Sequence, residues 1–342
     1  MAQTEGQLLT QLGMFKMFKT GQTGWQPYST VICHLKLKTD MGGLMSDEKK
    51  TKGQFAAMET QKLIDIVGAT DTDQRSLFGA LRQIGERGDV AAPKAHLKLP
   101  AAVADVLTRN DVDRVIGLQA IDTLVALNDS SAWHALTAIL EMGSDPEVRA
   151  MAAWALGAIS FGEHTRITGA CLSAALVGCE DTTTPVPKDT EFLVRAAAAK
   201  AIGTGGYTLR VPALVQALDD EPIVRSEAVK ALGKLGVPVG NEKLKSMLVD
   251  EDDGEPVVSI RAAIVATLAV TGGREELAVI ISVAERDSYE RVKATASKVA
   301  KEMEERLSRE CDPEKAGFAP GLGGGNGGGE FEQHLWEADA PH

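Results

Sequence analysis

Aromatic side chains are scarce in this 342-residue chain, at 4 %, although 44 % of the residues are hydrophobic. Sandwich and barrel cores usually recruit aromatic and β-branched residues, so a hydrophobic fraction carried by Ala, Leu and Val argues for close helix-on-helix packing. A basic surplus is missing too: 48 acidic residues outnumber 36 Lys and Arg, for a net charge of −12. Phosphate binding needs clustered Lys and Arg, so a general nucleic-acid role is excluded. Long apolar runs are absent. The longest useful one, "LAVIISVA" from Leu277, is too short to span a bilayer. "QLLTQLGMFKMFK" near the start is broken by Gln and Lys and lacks the apolar stretch of a secretory signal. A soluble, cytoplasmic protein is expected.

Reactive constellations are equally thin. Cys33, Cys171, Cys179 and Cys311 form no CxxC pair, so reduced thiols are expected, with Cys171 and Cys179 packed in the core along one apolar helix. The six histidines form no HExxH motif, and no GxxxxGK[ST] phosphate loop is present. The sequence therefore predicts no enzyme, no cofactor and no metal site.

What the chain does have is repetition. In "DPEVRAMAAWALGAI", counted from Asp145 as zero, Val148, Ala152, Ala155, Leu156 and Ile159 form one stripe of a 3.6-residue helix. Asp145 suits the N-cap, Pro146 the first helical position, and Glu147 the positive end of the macrodipole. After Val148-Arg149 the same pair returns as Val194-Arg195, Val224-Arg225, Ile260-Arg261 and Val292-Lys293, at intervals of 46, 30, 36 and 32 residues. Weaker copies start at Asp113 and Asp71. Other apolar segments, from "LPAAVADVL" at Leu99 to "EELAVIISVAE" at Glu275, alternate with these copies. The pattern predicts an all-α solenoid of about six helix pairs over residues 61–311, each pair burying its neighbour's apolar face.

The copies "DPEVRAMAAWALG", "EFLVRAAAAKAIG", "EPIVRSEAVKALG" and "VVSIRAAIVATLA" resemble the HEAT-like repeat, in the short form typified by the phycobilisome-lyase family. The resemblance implies a superhelix in which the acidic residue and the Arg bond to backbone and to the neighbouring repeat. It thus implies a structural ladder of Asp145, Glu191 and Glu221 with Arg149, Arg195, Arg225 and Arg261. The iron hydroxylases built on this repeat carry His-Glu dipeptides, and this sequence has none. The resemblance also implies an alternative function, a bilin lyase or lyase subunit that attaches a chromophore to a phycobiliprotein-like partner.

The ends differ from the middle. Residues 1–60 fit no repeat and read as irregular; "MSDEKKTKGQ" from Met45 has the look of an ordinary N-terminus, so translation is expected to start there. At the other end, residues 312–342 read as a Gly-rich, disordered linker followed by "FEQHLWEADAPH". Phe331, Leu335 and Trp336 stand among acids in that tail and are candidate docking anchors.

Function is expected on the second helix of each pair. With positions 7 and 11 facing the core, positions 2, 5, 9 and 13 point away. The resemblance puts these helices on the concave side, where Trp154, Leu193, Ala196 and Ile223 would form an apolar floor and Lys200 and Lys230 a basic edge. Aromatic anchors flanked by charge are typical of interaction hot spots. The expectation is a non-enzymatic scaffold or adaptor that binds protein partners, an acidic amphipathic peptide among the candidates, the chain's own tail included.

Overall fold

The computed structural model describes residues 54–87, 99–109, 113–179, 185–249 and 254–310. The chain divides into two units, Met1–Gly42 and Gly43–His342, and every described residue lies in the second. The Met45 start and the anchors Phe331, Leu335 and Trp336 lie outside the described residues.

Fourteen α-helices follow one another among the described residues. They are α1 (Thr60–Gly68), α2 (Gln74–Arg87), α3 (Leu99–Val106), α4 (Arg114–Leu127), α5 (Trp133–Met142), α6 (Pro146–Ala158) and α7 (Thr165–Val177). Then come α8 (Phe192–Thr204), α9 (Val211–Gln216), α10 (Pro222–Leu235), α11 (Asn241–Val249), α12 (Val258–Thr271), α13 (Arg274–Arg286) and α14 (Glu290–Glu310). They pair into an all-α solenoid whose even-numbered helices stack side by side, each against the one before and the one after. The seven pairs exceed the six expected because α1 has too little of the motif to be recognised. It buries only Leu63 and Val67. Cys179 is not on the α7 helix as expected; it follows it and forms an antiparallel bridge with Val186.

Close stacking explains the composition. A Cβ on Gly157 would lie 2.5 Å from the Ala201 Cα, and one on Gly203 would lie 2.7 Å from the Ala231 Cα. The Gly of each "AxG" therefore meets the Ala two positions earlier in the next copy, and helix backbones nearly touch. α8 consequently buries eight residues, Val194 to Gly203 with two gaps, around most of its circumference.

Along one edge runs a chain of ion pairs. Arg149 donates to both carboxylate oxygens of Asp189, at 2.8 and 3.0 Å. Arg195 does the same to Asp220, at 2.9 and 2.6 Å, and Arg225 to Glu255, at 2.8 and 3.1 Å. Arg261 closes the series on Asp287. Each Arg also donates to a carbonyl of its own preceding turn: Gly143, Asp189, Asp220 and Glu255 respectively. Each carboxylate in turn accepts a backbone N–H at the start of its own second helix, from Glu191, Glu221, Val257 and Tyr289.

The four arginines thus brace the array as the resemblance implied, but the acids differ from those expected. Asp145 caps α6 through the Glu147 and Val148 N–H groups and pairs with no Arg of the ladder. Glu191 and Glu221 are exposed and make no side-chain cap bond. A carboxylate at the N-cap itself is spent on the helix start or points to water. One placed one or two residues earlier reaches both the helix N–H and the incoming guanidinium.

Burial resists ionisation of Asp220, but bonds from Arg195, the Glu221 N–H and Lys188 outweigh it and hold the carboxyl at about 2. Asp189 is likewise lowered, burial being overcome by Arg149 and the Glu191 N–H. A carboxyl depressed on folding stabilises the fold above its unfolded pKa and loses that contribution as pH falls through the folded value. The Asp220 rung is therefore complete above pH of about 4 and fails progressively towards pH of about 2, and the Asp189 rung weakens in the same direction. Asp220→Asn should flatten the fall in urea-unfolding stability across that range.

Two substitutions test the packing. Arg195→Met should cost about 3–5 kcal/mol, because it strands the Asp220 carboxylate, and Arg195→Lys should not restore it, because the ammonium lacks the planar fork. Hydrogen exchange should rise most in α8 and α10. Gly203→Val should cost about 1–3 kcal/mol in urea unfolding by overpacking, while Gly68→Ala, which meets nothing within 4 Å, should be neutral or slightly stabilising.

Candidate functional site

A second helix flanked by two others and backed by a first helix keeps one narrow face open. In α8 that face is Leu193, Ala197, Lys200 and Thr204, a stripe at positions 2, 6, 9 and 13 of the repeat. The matching positions are Glu147, Trp154 and Ala158 in α6, where Met151 at position 6 is buried at 4 % exposure, and Ile223, Glu227, Lys230 and Lys234 in α10. Trp154, Lys200, Ile223 and Lys230 are half-buried, and Leu193 is 39 % exposed. These five expected residues therefore share the open face.

Ala196 does not. It is buried, at 6 % exposure, and Ala197 takes its place on the face. Ala196 stands two turns before Gly203, so it lies on the side turned to α10, where stacking covers it. In α8 lateral stacking thus closes position 5 and opens position 6, whereas in α6 position 6 (Met151) is buried and position 5 (Ala150) half-buried, and in α10 Ser226 and Glu227 are both half-buried.

The face carries charge. Lys230 Nζ lies 3.1 Å from Glu227 Oε1. Burial pushes the Lys200 ammonium below its ordinary pKa, Glu227 opposes the shift, and the nearby charges of Lys234 and Lys230 add to it. Among the described residues no carboxylate lies within ion-pair distance of Lys200. Three lysines with one shared carboxylate thus sit beside the apolar Leu193 and Ile223. On the other side of Trp154, Glu147 is 3.6 Å from Arg114. Further along, α12 presents the buried Ala263 and Ala266, and α14 presents the exposed Lys298.

Other polar clusters are satisfied internally. A groove of about 550 Å³ between α10 and α11 is lined by Asp219, Arg225, Lys243 and Glu255, but Arg225 is held by Glu255 and Lys243 by Asp219, at 2.7 Å. Trp133 stacks on His164, centroids 4.6 Å apart, and donates to Thr168, which pins α5 to α7. Burial, followed by the Glu141 hydrogen bond, pushes the half-buried Cys171 thiol up to about 11, so it stays protonated and is a poor nucleophile.

Ala197, Glu227 and Lys234 belong with the expected residues on this surface. Lys234, at position 13, already lay on the side that the helical period turned outward; the signal for Ala197 and Glu227 was their spacing, three residues before position 9. Glu227→Gln should remove the charge that favours the Lys200 ammonium. Lys200 should then react faster with an amine-selective reagent at pH of about 8.5, relative to Lys293 as an internal reference read by mass spectrometry.

HEAT repeats match the chain over residues 185–258, the segment that holds the Asp189, Asp220 and Glu255 rungs. No curated protein matches the sequence. Among solved structures, the complex of CpcE and CpcF of phycocyanin lyase from Nostoc sp. is similar at 19 % identity, covering 73 % of this chain and 94 % of that one, with a TM-score of 0.37. Human deoxyhypusine hydroxylase is similar at 18 % identity, covering 76 % of this chain and 98 % of that one, with a TM-score of 0.31. An engineered protein matches at 18 % identity, covering 72 % and 98 %, with a TM-score of 0.32. Among the described residues, no helix is long and apolar enough to cross a membrane. The motif, the family match and the ladder agree on HEAT-like repeats over residues 185–258, and the same Arg–carboxylate geometry recurs in the flanking pairs Arg149–Asp189 and Arg261–Asp287.

Proposed function

We propose that the protein is a non-enzymatic scaffold that binds a protein partner on the open face of α6, α8 and α10. The observation that carries this reading is the juxtaposition of Trp154, Leu193 and Ile223 with Lys200, Lys230 and Lys234 on one face of adjacent helices. Large apolar anchors near charge supply the contact energy and the orientation of a typical interface. The lysines favour an acidic partner by complementarity. Half-burial of Trp154 and Lys200 matters here, because side chains already held by neighbours lose less rotamer freedom when a partner closes over them.

The test is quantitative binding of captured partners to the full chain and to variants. Trp154→Ala combined with Lys200→Glu should weaken the binding of a genuine partner by about ten-fold or more while the variant keeps its helical circular-dichroism spectrum at the assay temperature. Leu209→Ala, at an exposed apolar site away from the face, should leave binding intact. Equal binding by all three proteins would overturn the reading. A change in visible absorbance on adding a bilin would favour chromophore attachment instead.

A further inference from the structure

The open face has a candidate occupant in the chain itself. We infer that residues Glu330–Ala340 dock in cis on the face formed by α8 and α10, with Phe331 and Leu335 against Leu193 and Ile223, Trp336 at their margin, and the Glu330, Glu332, Glu337 and Asp339 carboxylates facing Lys200, Lys230 and Lys234. The inference rests on that face being a peptide-binding surface, as proposed above.

Charge supports the match. The segment "EFEQHLWEADA" holds Glu330, Glu332, Glu337 and Asp339 and no Lys or Arg. The face offers three lysines, of which Lys230 is paired with Glu227 and Lys200 has no described carboxylate within ion-pair distance. Apolar spacing also fits. Phe331 and Leu335 are four residues apart, so a helical turn would put them on one side, with Trp336 about 100° round from Leu335 at its margin. The face provides two exposed or half-exposed aliphatic side chains, Leu193 and Ile223, on neighbouring helices.

Reach decides between docking in cis and capture by a second copy. Residues 311–330 separate Glu310, at the end of α14, from Phe331. A Gly-rich coil of that length has a root-mean-square span of about 25 Å, and its extended limit is about 66 Å. Helix axes in contact lie about 8–10 Å apart, so α10 and α8 lie about 20 and 30 Å from α14 sideways; Ile223 and Leu193 stand at the starts of their helices and Glu310 at the far end of α14, which adds about 28 Å along the axis and brings the separations to about 35 and 40 Å. The separation exceeds the root-mean-square span but lies well within the extended limit, which still puts the peptide at an effective concentration of order mM. A peptide with a Kd of about 0.1 mM would then be roughly nine-tenths docked, and a second copy at μM concentration would not compete.

The experiment uses the full chain. A mixture of isotopically light and heavy protein is treated with a zero-length carbodiimide cross-linker and digested. Links from Lys200, Lys230 or Lys234 to Glu330, Glu332, Glu337 or Asp339 within one isotopic form are the expected result. In the variant Phe331→Ala/Leu335→Ala/Trp336→Ala, acetylation of Lys200 and Lys230 should rise about three-fold or more, with Lys243 and Lys293 unchanged. Links of mixed isotopic form would assign the face to a second copy and overturn docking in cis, as would absent links with unchanged acetylation. Failure of the scaffold reading looks different: tail links would be present while partner binding ignores Trp154→Ala and Lys200→Glu. If both hold, the triple variant should bind the partner more tightly than the unmodified chain, because the tail no longer competes.

Discussion

A guanidinium taken out of water is costly unless every hydrogen-bonding direction finds an acceptor, and the solenoid is arranged around meeting that condition four times. Arg149, Arg195, Arg225 and Arg261 each bind one carboxylate of the next repeat and a carbonyl of the turn before their own helix, with a second carbonyl for Arg149, Arg195 and Arg261. The carboxylate must at once meet the guanidinium and the first N–H of its own second helix. Register between repeats, the start of each second helix and the turn before it are therefore set by a single group. The Arg195 and Asp220 side chains are each 7 % exposed, so desolvation consumes much of their attraction. The larger contribution of the ladder is to geometry: a repeat displaced along its neighbour would leave buried charge unpaired.

That geometry needs the helices close together, which accounts for the scarcity of aromatics in the stack. Gly157 and Gly203 allow backbone to meet backbone, and alanines fill what remains. Hydroxyls then bridge successive repeats: Thr123 donates to the Leu81 carbonyl, Tyr207 to Leu156 and Thr267 to Val229. The ladder stops where its residues stop. Gly117 holds the Arg position in α4, and Lys293 holds it in α14, where it pairs with Glu290 in its own helix. Toward the ends arginines do a related task from different positions. Arg109 caps the end of α1 through the Val67 and Ala69 carbonyls, and Arg306 caps α12 through Val270 and Gly272.

Tight lateral packing also decides where function can reside. Helices enclosed on three sides offer only a stripe, and in α8 that stripe is Leu193, Ala197, Lys200 and Thr204. The side chains there are freed from structural duty, which is why they vary between copies while the buried positions repeat. Burial that lowers the Lys200 pKa is a product of the same crowding. An acidic ligand that restored a counter-charge to that lysine would gain more there than at a fully solvated one.

The helix pairs were legible in the letters because period and capping are local: Val148, Ala152, Leu156 and Asp145 declare a helix and its start without reference to any neighbour. The Arg positions were legible for the same reason, as recurring members of a motif. Their partners were not. Asp189, Asp220, Glu255 and Asp287 sit just outside the recognisable copy, at offsets that vary by a residue, and lie 25 to 40 positions from the arginines they bind. Which carboxylate receives an Arg depends on how one repeat lands on the next. The same holds for Ala196 and Ala197, one residue apart and chemically identical. Helical periodicity told which side of α8 faced its own pair, but the stacking of α10 against it buried one alanine and left the other open.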